Sequence, residues 1–326
     1  SVMMAPTEIL AMQHFHSAQE VLGRLGMRCA LLTGSMKASE KREAIARIAS
    51  GEADAVIGTH ALLSGQVEMR KLGLTVTDEQ HRFGVRQRKT LEDKAQEGVN
   101  TLVMSATPIP RTLSLVLYGD LDVSVIDEMP PGRKPIETLQ IGQGKRPRLY
   151  HFMKGEIAKG RQIFVVYPLI FESEKMDLKN LEKGYEEIVE SFPFPPYKVA
   201  IVHGQQSNED KQFNMNAFAA GRANILVSTT VIEVGVDVPN ASVMVIESAE
   251  RFGLSQLHQL RGRVGRGSEK SYCILVKDPK IGKDSQKRLD LLCSTEDGFQ
   301  LAEEDLKMRG PGDLEGTQQS GLPITL

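Results

Sequence analysis

Two acidic residues stand side by side just past a short apolar run, in Leu74-Thr75-Val76-Thr77-Asp78-Glu79-Gln80-His81. In nucleoside triphosphatases built on a phosphate-binding loop, an Asp at such a strand end holds Mg²⁺, and a neighbouring group orients the attacking water. Taken alone, the pair also suits a solvated loop or a helix N-terminus, where acids are favoured. Its surroundings weigh toward chemistry. Gln80-His81 follows it, and Met104-Ser105-Ala106-Thr107-Pro108 closes the next strand. Hydroxyls at Ser105 and Thr107 can bond to the acidic loop or to a phosphate. The plainer alternative is an ordinary turn, with Thr107 restricted by Pro108.

A second constellation is Gln256-Leu257-His258-Gln259-Leu260-Arg261-Gly262-Arg263-Val264-Gly265-Arg266-Gly267. It crowds three arginines into a helix-to-loop segment. The planar guanidinium fork pairs with phosphate oxygens and suits the charge of a phosphoryl transition state. A solvated basic face is the alternative. Gly262 and Gly265 weigh against it, because they would break a helix and let the backbone approach a ligand. A third is Ser228-Thr229-Thr230-Val231-Ile232-Glu233-Val234-Gly235-Val236-Asp237-Val238-Pro239. Hydroxyls at a strand end near a helix N-terminus are good ligands for a phosphate backbone; plain N-capping is the alternative.

These residues need a frame. The chain has 326 residues, enough for about two domains. Apolar residues make up 40% and charged residues 25%, which excludes a disordered chain. No apolar run approaches the ~20 residues of a membrane span. The three cysteines are scattered at 29, 273 and 293, with no disulfide or metal spacing, so a reducing cytoplasm is the expected compartment. A net charge of −2 gives no global nucleic-acid signal, and any DNA-binding surface must be local.

Short β-rich runs at 30–32, 55–57, 74–76 and 101–104 alternate with helical stretches such as 8–25 and 37–49. Strands separated by helices imply crossovers and a parallel sheet. Pro130-Pro131-Gly132-Arg133-Lys134-Pro135 interrupts the pattern as a stiff linker. It resumes at 162–166, 198–202, 224–227, 242–246 and 271–276, and then gives way to two helices at 283–293 and 297–308. The fold class predicted is α/β: two parallel-sheet lobes and a C-terminal helical extension. The divisions fall at 1–130, a linker over 131–145, 146–280 and 281–326. The opening Ser1-Val2-Met3-Met4-Ala5-Pro6-Thr7 reads as a buried strand running into a helix, and suggests a piece of something longer.

The ordered boxes resemble those of superfamily 2 helicases: Met4-Ala5-Pro6-Thr7-Glu8-Ile9-Leu10-Ala11, Asp78–His81 with Arg82-Phe83-Gly84-Val85, Ser105–Thr107 with Pro108-Ile109-Pro110-Arg111-Thr112-Leu113, Thr229–Asp237 and Gln259–Arg266. Within these the chain is similar to the bacterial RecG family of ATP-dependent DNA helicases. The tail Arg309-Gly310-Pro311-Gly312-Asp313-Leu314-Glu315-Gly316-Thr317-Gln318-Gln319-Ser320-Gly321 resembles that family's translocation motif. The related motor of the transcription-repair coupling factor is the alternative; Asp-Glu-Gln-His and Arg-Gly-Pro-Gly-Asp favour RecG. A nucleotide-independent DNA-binding module also stays open.

The resemblance implies RecA-like lobes, the first incomplete, with ATP and Mg²⁺ as cofactors. The partner would be branched double-stranded DNA (stalled forks and Holliday junctions), acted on in recombination and repair by a cytoplasmic monomer with no membrane association. It assigns Asp78 to the metal and Glu79 to the attacking water. Arg263 and Arg266 would reach the γ-phosphate from the second lobe. Gln259, Gly235 and Asp237 would lie near the nucleotide. Gln80, His81, Ser105 and Thr107 would couple nucleotide state to DNA grip. Pro6, Thr7, Thr33, Gly34, Thr59, His60, Thr229 and Thr230 would touch the DNA backbone, and Arg309 and Gln318 would serve translocation.

One motif is missing. The phosphate-binding loop Gly-x-x-x-x-Gly-Lys-Ser/Thr does not occur; the nearest string, Gly142-Gln143-Gly144-Lys145, is followed by Arg146. In the family that loop precedes the Met4–Ala11 box. The expectation is half an ATP site, a chain inactive by itself, and a first lobe with an exposed sheet edge. Thr77 is a further departure, since an apolar residue is usual before the acidic pair.

Overall fold

The computed structural model describes residues 1–79, 83, 98–106, 122–129, 132–169, 174–229, 238–267 and 269–309. They fall into two compact units, one ending at 106 and the other running from 122 to 309.

The first unit is a parallel sheet of β1 (Val2–Met4), β2 (Cys29–Leu32), β3 (Ala55–Gly58), β4 (Leu74–Thr77) and β5 (Asn100–Val103), in the order β2-β3-β1-β4-β5. Helices α1 (Glu8–Gly23) and α2 (Ala38–Ala49) make the crossovers. Thr7 caps α1, its hydroxyl accepting the Leu10 N–H, and Lys37 N–H bonds to the Glu40 carboxylate at the start of α2. Val2, Met4, Ala30, Leu32 and Val56 pack with Ile48 and Leu62 into one face of the core. Among the described residues β5 is the outer strand, with Asn100, Thr101 and Leu102 exposed.

The second unit is a larger parallel sheet: β6 (Ile136–Gly142), β7 (Gln162–Val166), β8 (Val199–Val202), β9 (Ile225–Ser228), β10 (Ala241–Ile246) and β11 (Ser271–Lys277), in the order β6-β11-β10-β7-β9-β8. Its central strands are buried throughout, as a sheet covered on both faces requires. Around it lie α3 (Arg146–Ala158), α4 (Glu174–Ser191), α5 (Asn208–Ala219) and α6 (Leu254–Arg261). The two C-terminal helices, α7 (Lys283–Ser294) and α8 (Gly298–Arg309), pack on α6, and α7 also lies on β6.

One boundary needs correction. Residues 136–145, expected within the linker, form β6 and a short 3₁₀ turn, and β6 pairs with β11 along its whole length. Glu296 accepts the Ile136 N–H at 2.5 Å, so the strand is fixed at its start.

Candidate functional site

Parallel sheets gather functional groups at the carboxyl ends of their strands. In the first unit, β4 ends there in Asp78 and Glu79. The Asp78 N–H continues the ladder onto the Met4 carbonyl at 3.0 Å, which sets the pair beside the end of β1. Its carboxylate is held at both oxygens: Oδ1 accepts the Glu79 N–H at 2.8 Å, and Oδ2 lies 2.8 Å from His14 Nε2 on α1. Glu79 is buried and adopts φ +49°, a left-handed conformation that a non-glycine residue takes at a cost. Thr77 is buried despite its hydroxyl, and its carbonyl accepts the Met104 N–H at 2.8 Å. This brings the exposed Ser105, just past β5, to the same sheet end.

The DNA-assigned residues lie at the neighbouring strand ends. Pro6 and Thr7 follow β1, Thr33 and Gly34 follow β2, and Thr59 and His60 follow β3. Glu8 draws them together, since its Oε1 accepts the Ser35 N–H at 2.7 Å. A Cβ on Gly34 would stand 3.2 Å from that oxygen and 3.8 Å from the His60 ring. Lys41 Nζ bonds to the Gly34 carbonyl. The Thr59 hydroxyl is buried and has no hydrogen-bond partner among the described residues.

In the second unit the three arginines separate by role. Arg261 is buried and serves structure. Its Nη1 donates to the Leu292 and Thr295 carbonyls at 2.7 and 2.8 Å, and its Nη2 lies 3.1 Å from His258 Nδ1. Burial, reinforced by the Arg261 charge, pushes the His258 imidazole down to about 4, so it stays neutral and accepts that bond. Beyond this anchor, Arg263 is half-buried and Arg266 exposed.

The two glycines have local reasons that the sequence reading did not supply. Gly262 caps α6, and Gly265 adopts φ +77° with Ile136 packed where a side chain would go. Gln259 sits half-buried on α6. Thr229 follows β9 with its hydroxyl buried and unpartnered among the described residues. Gln80, His81, Thr107, Thr230, Gly235, Asp237 and Gln318 lie outside the described residues, as does the side chain of Arg309.

Sequence reasoning missed two groups. One is His14, which falls on the helix stripe Ala11, His14 and Ala18 and has no sequence sign of its partner 64 positions away. The other is the ion pair of Arg146, on α3, with Glu247, just past β10. Its two bonds measure 2.9 and 2.7 Å, and the Glu247 side chain is almost fully buried. Burial pushes the Glu247 carboxyl upward, and the Arg146 charge opposes it.

Among the described residues, no helix is long and apolar enough to cross a membrane, and no cluster of three or more metal-ligating side chains occurs.

Comparison with known proteins follows the same division. The DEAD/DEAH box helicase family matches residues 1–116, the helicase conserved C-terminal domain residues 144–268, and the C-terminal part of domain 3 of the ATP-dependent DNA helicase RecG residues 295–326. The chain is 54% identical over 325 residues to the ATP-dependent DNA helicase RecG of Streptococcus pneumoniae, covering 99% of this chain and 47% of that protein. It is 50% identical to that of Thermotoga maritima, covering 98% and 40%. The chain thus spans less than half the length of these relatives. A solved structure of RecG bound to a three-way DNA junction superposes with a TM-score of 0.76 at 46% identity, covering 96% of this chain and 40% of that one. Dbp5 of Saccharomyces cerevisiae, bound to RNA and ADP with BeF3, shares the fold at 15% identity and a TM-score of 0.65, covering 94% of this chain and 80% of that one.

Proposed function

The chain belongs to the RecG family, whose helicase motor region it spans, and from that premise we propose that the protein bearing it is an ATP-driven motor on branched double-stranded DNA. The observation that carries the proposal is the acidic pair: Asp78 fixed at both oxygens beside Glu79, whose buried carboxylate is set by an unfavourable backbone conformation. Strain of this kind collects at functional sites.

Asp78 and Glu79 fit Mg²⁺, a hard cation that takes oxygen ligands and is usually held by one or two carboxylates plus substrate phosphates. When bound, the ion would offset charge on the phosphates. Asp78 would hold it, and Glu79 would orient the attacking water. Arg263 and Arg266 would stabilise the γ-phosphate charge, with Gln259, Gly235 and Asp237 beside the nucleotide. Gln80, His81, Ser105 and Thr107 would pass nucleotide state to the DNA grip. Pro6, Thr7, Thr33, Gly34, Thr59, His60, Thr229 and Thr230 would hold the phosphate backbone without reading sequence. Arg309 and Gln318 would drive translocation.

This activity belongs to recombination and repair, in the cytoplasm and as a monomer. The proposed organisation is lobe 1 over 1–130, lobe 2 from β6 to 280, and a translocation region over 281–326. The 326 residues contain no phosphate-binding loop, so the chain by itself should be inactive. The test is DNA-stimulated ATP hydrolysis by a full-length protein containing this chain. Glu79→Gln should lower turnover by about 10²–10⁴ while junction binding persists. Turnover near wild type in that variant would refute the assignment.

A further inference from the structure

Two elements hold the Asp78 carboxylate. One is its own loop, through the Glu79 N–H on Oδ1; the other is α1, through His14 on Oδ2, both at 2.8 Å. The second contact is long-range, joining residues 64 positions apart, and it is partly shielded, with 26% and 18% of the two side chains accessible. An ionised carboxylate has no proton to give, so His14 Nε2 is the donor. Each Asp78 oxygen keeps acceptor capacity after these bonds.

We propose that His14 is a positioning residue for the divalent cation: its Nε2–H fixes the plane of the Asp78 carboxylate so that an oxygen faces the metal. The inference rests on the reading of Asp78 as a metal-holding residue. Carboxylates that ligate a metal are commonly oriented by a hydrogen bond from a neighbouring group, and loss of such a partner typically costs 10–100-fold in metal affinity or activity. α1 suits the task. It starts at the capped Thr7 and packs along β2 and β3, so His14 is presented from a fixed helix rather than a loop. Among the described residues, His14 and the Glu79 N–H are the groups that hold the Asp78 carboxylate. The imidazole meets one Asp78 oxygen through one ring nitrogen and so orients the carboxylate without enclosing it.

The experiment measures Mn²⁺ binding by electron paramagnetic resonance, with nucleotide and without DNA, on a full-length protein containing this chain. The Mg²⁺ concentration for half-maximal ATP turnover is recorded in parallel. His14→Ala should weaken Mn²⁺ binding and raise the Mg²⁺ midpoint by about 10–100-fold, with junction affinity and melting temperature held. His14→Gln keeps an N–H donor and should recover part of both. Wild-type Mn²⁺ affinity in His14→Ala would overturn the proposal. So would a folded His14→Gln variant as impaired as His14→Ala, because the donated bond would then not matter. If His14→Ala melts early, the His14→Gln comparison alone decides. Asp78→Asn separates the two readings. If it weakens Mn²⁺ binding and His14→Ala does not, only the role of His14 falls. If Asp78→Asn binds Mn²⁺ as the wild type does, the metal assignment of Asp78 falls as well.

Discussion

In the first unit, the strand ending at Thr77 runs into Asp78 and then Glu79 at φ +49°; in the second, the strand ending at Ile246 runs into Glu247 and then Ser248 at φ +47°. These are the two non-glycine residues with positive φ among those described. The likeness extends through both sheets. The order β2-β3-β1-β4-β5 is repeated as β8-β9-β7-β10-β11, with β6 added outside. The Asp78 N–H bonds to Met4 at the end of β1, and the Glu247 N–H bonds to Val166 at the end of β7. Lys41 holds the Gly34 carbonyl, and Lys211 holds that of Gly204.

The difference lies in what faces the acid. Asp78 meets His14, whereas Glu247 meets the guanidinium of Arg146 in a two-bond ion pair. A fixed cation satisfies Glu247 permanently. Among the described residues, the same strand-end turn sets its acid against an imidazole in one unit and in a buried ion pair in the other.

The largest expected effect tests whether the second unit contributes to catalysis through its arginines rather than through its acid. In a full-length protein, Arg266→Ala should lower DNA-stimulated ATP turnover by about 10³–10⁵, the usual cost of losing an arginine finger, with DNA binding retained. Steady-state hydrolysis and a junction-binding titration read both. Near-normal turnover would remove the finger role.

Next comes the closed acid. Arg146→Ala leaves Glu247 buried without its cation and should cost about 3 kcal/mol of unfolding free energy, as broken buried pairs do. Replacing both residues with methionine should recover most of that, because neither desolvated charge remains. Urea unfolding of the chain measures both. A single variant as stable as the wild type would mean that Glu247 is not held by Arg146, and the contrast with Asp78 would lapse.

Much of this frame was readable before any coordinates. The β-rich runs matched ten of the eleven strands among the described residues to within a residue or two, counting the opening strand, because apolar stretches between helices leave few alternatives. β6 was lost because it is an edge strand. Ile136-Glu137-Thr138-Leu139-Gln140-Ile141 mixes polar with apolar residues, and Leu139 is 43% exposed, so neither a buried run nor strict alternation marks it. The acidic pair and the arginines were legible by type. Their supports were not, since His14–Asp78 and Arg146–Glu247 are joined only once the strand order is known. Arg261 shows the limit most plainly: by residue type it stands with Arg263 and Arg266, and only the fold shows it buried on the Leu292 and Thr295 carbonyls.

That anchor predicts a pH dependence confined to the second unit. His258 is held near 4 in the folded chain, against about 6.5 unfolded. Between those values the unfolded state binds more protons, so stability rises with pH and is lost as pH falls through the window. From pH 7.5 to 5 the loss should be about 2 kcal/mol. His258→Gln keeps an acceptor for Arg261 without titrating, and should flatten that part of the acid limb in urea midpoints. An unchanged slope would mean that His258 is not held neutral by burial and by Arg261.

The smallest effect bears on the closest parallel between the units. Thr59 after β3 and Thr229 after β9 each bury a hydroxyl with no partner among the described residues. A buried polar group without a partner costs about 1–3 kcal/mol, and removing it can be neutral or stabilising. Thr59→Val and Thr229→Val should therefore hold or raise stability by up to about 1 kcal/mol. If the hydroxyls are there to meet phosphate, each change should also weaken junction binding a few-fold in the full-length protein, the worth of one hydrogen bond. The salt dependence should hold, because no charged contact is lost. Stability gained with affinity lost at both positions would give the two strand ends the same role toward a phosphate backbone. Stability gained without loss at one of them would show that the repeated fold carries a repeated defect there, and not a repeated function.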